Sequence, residues 1–154
     1  MNRNLRIMFS ALLVVLWMLV IFAFSHQANS NEMTKPVLGP FNIFVRKCAH
    51  MTEYAILFLL SLNFCRQFAV RWQPGAKVLP SFFGGLQLER PKRVAEMVCT
   101  FISPIAIAFL YACSDEWHQS FVPGRSAAFS DVLVDSTGIL IAAVLIALST
   151  FRKR

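Results

Sequence analysis

Ile7 to Phe24 reads IMFSALLVVLWMLVIFAF, a stretch whose one polar residue is Ser10. Eighteen residues of helix span about 27 Å at 1.5 Å per residue, close to the ~30 Å hydrocarbon core of a bilayer. The basic segment Asn2-Arg3-Asn4-Leu5-Arg6 precedes it, and Ala23 and Ser25 are small residues at the spacing of a signal-peptide cleavage site. A signal-peptide core holds about 7–15 apolar residues. This one is longer, and three more apolar stretches follow, so it reads as an uncleaved anchor. Phe41–Phe64 is broken by Arg46, Lys47, His50 and Glu53; Val94–Cys113 carries Glu96 near its start; Val132–Phe151 carries Asp135 near its start. The expectation is an all-α polytopic membrane protein, one domain built as a bundle of four transmembrane helices in two hairpins.

Composition agrees. The chain of 154 residues is 56% apolar and 15% charged, whereas soluble domains run at about 45–50% and 25%. That excludes an ordinary soluble domain and a disordered chain. The net charge of +7 raises nucleic acid as a partner, and the placement of the charges answers it. Arg3 and Arg6, Arg152 to Arg154, and Arg66, Arg71, Lys77, Arg90, Lys92 and Arg93 hold eleven of the fifteen basic residues. All eleven flank spans on one side, which the positive-inside rule assigns to the cytoplasm. Both termini and the middle loop are expected inside, and the segments near Lys35 and Arg125 outside. No nucleic-acid partner is needed.

The middle loop, 65–93, contains Pro74, Gly75, Pro80, Gly84, Gly85 and Pro91 and reads as an irregular connector. Trp72, Phe82 and Phe83 suit it to the membrane interface. Cys48, Cys65, Cys99 and Cys113 lie in or beside spans without CxxC spacing, so they read as free apolar thiols. A Cys48–Cys113 disulfide stays geometrically open.

The polar residues concentrate on the outer side. Glu53 lies thirteen residues before Arg66, roughly 20 Å along a helix and well inside the core. Lys47, His50 and Glu53 share a stripe at i, i+3, i+6, so Lys47 or His50 is placed to neutralise Glu53. An ionisable residue at that depth marks a functional site; the bland alternative is an ion pair that fixes helix packing. A helical extension of the third stretch puts Asp115, His118 and Gln119 on one face, with Glu116 beside them, and Pro123-Gly124 turns the chain back toward Arg125. Ser130 suits the N-cap of the last helix and Asp131 its first turn. Asp135 points the same way one turn deeper. One outer pocket is expected to gather these groups.

Several chemistries fit. Histidine with a carboxylate suits general acid–base catalysis. Arg125 with Lys47 suits a phosphate or carboxylate. The chain lacks HExxH spacing, so no metal is expected. Ser114, Ser120 and Ser126 lack a GxSxG context for a nucleophile.

Arg46-Lys47-Cys-Ala-His50-Met-Thr-Glu53-Tyr54 resembles the R-K-x-x-H-x-x-E-Y element of the VanZ-like family of small bacterial membrane proteins. Ser114-Asp115-Glu116-Trp117-His118-Gln119-Ser-Phe121-Val122-Pro123-Gly124-Arg125, with Asp131-Val-Leu-Val-Asp135-Ser136-Thr-Gly138, resembles that family's most specific signature. Phe24-Ser25-His26-Gln27 resembles its F-S-x-Q and adds Gln27 to the site. The resemblance implies the bacterial cytoplasmic membrane and cell-envelope physiology. The family's namesake is associated with low-level resistance to the glycopeptide teicoplanin. Two function classes follow. The first is a binding or modulating protein whose partner is a membrane lipid, a lipid-linked envelope precursor or a glycopeptide, held by Gln27, Lys47, Gln119, Arg125, Asp131 and Asp135. The second is a small intramembrane hydrolase or transferase, with His118 or His50 as acid–base and Glu53, Asp115 and Glu116 orienting it. Neither requires a cofactor. A scaffold whose polar cluster serves packing alone is the third possibility.

Overall fold

A computed structural model describes residues 2–71, 97–125 and 127–152. They form helices joined by turns, with no strand among the described residues. Helix α1 covers Arg3–Ser25, α2 Ser30–Leu38 and, after a 3-10 turn at Gly39–Phe41, α3 Asn42–Arg71. A π-helical turn at Val98–Ile102 leads into α4, Ser103–Gln119, and α5 covers Phe129–Phe151. Three runs are long and apolar enough to cross a membrane: α1, the Ser30–Ala69 segment that contains α3, and α5.

The boundaries move where the chain lacks a breaker. α3 continues to Arg71 because no proline or glycine occurs between Phe64 and Pro74, so the first residues of the expected 65–93 connector are helical. The rest of that connector, with Trp72, Phe82 and Phe83, lies outside the described residues. The third apolar stretch was expected to end at Cys113, and its helix runs on to Gln119, four residues short of Pro123-Gly124. Its first residues, 94–96, also lie outside the described set. The segment around Lys35, expected as a loop, folds as the short helix α2. Its elbow with α3 is tied by buried Asn42, whose amide donates to the Asn31 carbonyl at 3.2 Å and accepts from Thr34 Oγ1 at 2.6 Å.

α3 is the central helix and packs against α1, α4 and α5. Tyr54, Leu57 and Phe58 of α3 meet Ile21 of α1, Ala108 and Ala112 of α4, and Val132 and Ile139 of α5 in one core. Helix ends and backbones are also stitched laterally. Trp17 Nε1 donates to the Glu53 carbonyl at 2.9 Å, and the Tyr111 hydroxyl to the Met18 carbonyl at 2.6 Å. On α5, Gly138 lies directly against the Met51 backbone, where a Cβ would meet the Met51 carbonyl oxygen. The outer faces of α1 and α5 expose Leu12, Leu16, Leu19, Leu140, Leu145 and Leu148, an apolar perimeter suited to lipid.

Candidate functional site

The polar residues meet at the end of the bundle where α1 stops and α5 starts. A cavity of about 390 Å³ opens there. Arg46, Lys47 and His50 of α3 form one wall and Asp131, Val134 and Asp135 of α5 the opposite one. Glu116 and Gln119 of α4 close the back, and Arg125 and Ala128 come from the α4–α5 turn.

His50 sits between two carboxylates, with Nδ1 at 3.8 Å from Glu53 Oε2 and 3.8 Å from Asp135 Oδ1. Lys47 and His50 share the expected stripe, but only His50 turns to Glu53. Lys47 crosses to α5 instead, Nζ lying 3.3 Å from Asp131 Oδ1. Asp135 is 3% exposed, deeper than Asp131, as its position one turn further in requires.

A second, buried set lies behind the cavity. Asp115 Oδ2 accepts from Ser25 Oγ at 2.7 Å and from Gln119 Nε2 at 2.8 Å. Arg125 Nη1 donates to Gln119 Oε1 at 3.1 Å, and its Nη2 reaches the Phe24 carbonyl at 2.7 Å. The chain Arg125–Gln119–Asp115–Ser25 thus bolts the end of α1 to α4 and its turn. Burial and the neighbouring Arg46 charge pull the Arg125 guanidinium below its ordinary value, while Asp115, Glu116 and Glu53 hold it up. Gln27 joins through its backbone, its carbonyl lying 3.5 Å from Arg125 Nε, and its side chain is exposed.

Two expectations need correction. Asp115 and Gln119 share a face as expected and are bonded to each other, but His118, one position from Gln119 and so turned about 100° from it, faces α1. His118 is accordingly outside the cavity: its Nε2 lies 3.1 Å from His26 Nδ1, and its ring lies 4.6 Å from that of Phe22. Ser130 is not the N-cap of α5. Ala128 holds that position, and its N–H donates to Glu116 Oε1 at 2.6 Å. A carboxylate of α4 thus holds the residue that precedes α5, while no side chain caps the first amides of the helix itself. Asp131 does lie in the first turn.

Cys48 and Cys113 are free thiols; the Cys99 side chain lies outside the described set. Ser114 and Ser120 hydroxyls donate to carbonyls of their own helix, at Tyr111 and Trp117, and Ser126 is outside the described residues. Among the described residues no three His, Cys, Asp or Glu side chains come together as a metal cage.

The profile of the VanZ/LLP1 family matches residues 9–150, which take in most of α1 and α5, all of α3 and α4, and every residue of the cavity. The chain belongs to the VanZ/LLP1 family. Comparisons with curated proteins and with solved structures found no match. The VanZ-like motifs quoted from the sequence converge in space: the α3 element supplies one cavity wall, the α4 element the back, and the Asp131–Asp135 pair the other wall.

Sequence reasoning missed several parts of this VanZ/LLP1 site. Ser25 looked like a cleavage-site residue and is a buried donor to Asp115. Trp17, Tyr111 and Asn42 carried no signal, since aromatic residues and asparagine at span ends are common. Arg46 did carry one: it stands four residues before His50 and so shares its face. Arg46 lines the cavity.

Proposed function

We propose that this VanZ/LLP1 protein spans the bacterial cytoplasmic membrane four times, as two hairpins with both termini inside, and binds the polar head of a membrane lipid or lipid-linked envelope precursor at the outer leaflet. The cavity between α3 and α5 carries this reading, because it lies at the end of an apolar bundle and is lined by paired charges. Such groups are costly near a bilayer core unless they serve a polar guest. The topology is supported by the basic flanks and by the fourth helical run, Val98–Gln119, which is about 33 Å long at 1.5 Å per residue. A link to teicoplanin-type resistance belongs to the same proposal: a protein that holds envelope lipids at that surface changes what a glycopeptide meets.

The test is lipid co-purification with the full-length protein, set against a Val134→Trp variant that fills the cavity. Selective loss of one lipid species in the variant is the expected result. Identical lipid profiles from both proteins would defeat the reading.

One observation favours a second reading, a small hydrolase or transferase. His50 is flanked by two carboxylates at the cavity wall, an arrangement that can pass a proton. His50→Gln separates the two: a catalyst retains lipid and loses turnover, whereas a binding site shows no turnover to lose.

A further inference from the structure

The charges around the cavity are unevenly satisfied. Asp131 has Lys47, Asp135 has His50, and Glu116 has the Ala128 N–H. Arg125 is spent on the Phe24 carbonyl and Gln119. Lys47 and Arg125, the two cations that the sequence offers for an anion, are therefore both engaged within the protein. Arg46 lines the same cavity and makes no hydrogen bond or ion pair among the described residues. Its positive charge is felt by Arg125 and by His50, so two guanidiniums share this end of the cavity with only one of them tied down.

We infer that Arg46 is the residue that meets the guest, and that the guest is a lipid whose headgroup presents a phosphate with no cationic group beside it to neutralise it, as in phosphatidylglycerol. This rests on the headgroup-binding reading above and adds its chemistry. A guanidinium presents paired N–H donors that match phosphate oxygens in a fork, and a free one at a half-buried wall is poised to take such a contact. Depth points to a lipid. Arg46 stands twenty residues before Arg66 on α3, about 30 Å along the helix. In the proposed topology that is the outer edge of a ~30 Å hydrocarbon core, where headgroups begin. Ile43 and Val134, beside it on the cavity wall, are apolar, and Ile43 is 62% exposed, so glycerol and upper acyl carbons have a surface to lie on.

The experiment uses the full-length protein in phosphatidylcholine nanodiscs with a small fraction of headgroup-intact, acyl-labelled phosphatidylglycerol. Binding is read by energy transfer from Trp to the label. Wild type is expected to enrich phosphatidylglycerol, Arg46→Gln to bind it about ten- to a hundredfold more weakly, and Arg46→Lys to keep part of the affinity. Arg46 makes no hydrogen bond or ion pair among the described residues, so Arg46→Gln should elute and unfold like wild type. Undiminished binding by Arg46→Gln overturns the inference. If Val134→Trp then still abolishes binding, the headgroup cavity stands with another anchor; if neither variant changes binding, that reading falls too. Inorganic phosphate binding to wild type without phosphatidylglycerol enrichment overturns the lipid source.

Discussion

Gly138 and Asp115 show two ways in which one atom matters inside a bundle. At Gly138 the atom is missing: α5 comes so close to α3 that a Cβ would strike the Met51 carbonyl. Gly138→Ala is expected to push α3 and α5 apart at this contact and destabilise by about 1–3 kcal/mol, measured by unfolding in detergent. Asp115 is buried and accepts from both Ser25 and Gln119. Asp115→Ala leaves those donors unpaired, at about 1–3 kcal/mol, and should also loosen Arg125 through Gln119. Asp115→Asn, which keeps an acceptor, should cost less in the same measurement. The sequence marks Asp115 as important and hides why. A charge beside a span stands out on cost alone, but its partner Ser25 is ninety residues away and looks like any small residue. Likewise Asp115 and Glu116 are neighbours in the chain, and only the packing of α4 decides that one faces α1 and the other the cavity.

Helices were the legible part, since a bilayer dictates both their length and their apolar character. Their ends were less so. α3 and α4 run past the apolar stretches, to Arg71 and Gln119, through residues that include no proline or glycine, and α2 is too polar to announce itself by hydropathy. The start of α5 is the clearest case. Local rules favour Ser130 as its cap, yet Ala128 takes that position without a side-chain cap, and Glu116 holds its N–H from across the turn. Glu116→Ala is therefore expected to fray α5 at its first turn, at about 0.5–2 kcal/mol by analogy with loss of a side-chain cap. Hydrogen exchange at the Ala128 and Phe129 amides reads it directly. Ser130→Ala should leave those amides unchanged; faster exchange there would return the cap to Ser130.

At the level of the whole molecule, the polar groups collect at one end of the bundle and the basic flanks at the other. Orientation is then a matter of which end faces out. Lys35 and Arg152, both exposed, lie on opposite sides of the proposed topology. In a background without native cysteines, Lys35→Cys is expected to react with an impermeant maleimide in intact cells, and Arg152→Cys only after permeabilisation. The reverse pattern turns the cavity toward the cytoplasm and removes the outer-leaflet reading. The bolt from Arg125 to the Phe24 carbonyl has a consequence in time. Its two ends are 101 residues apart in the chain, and translation adds roughly 5–20 residues per second. For roughly 5–20 seconds, the first helix of each newly made molecule must wait in the membrane with its final turn unfastened. The last hairpin to be synthesised is the one that locks the first.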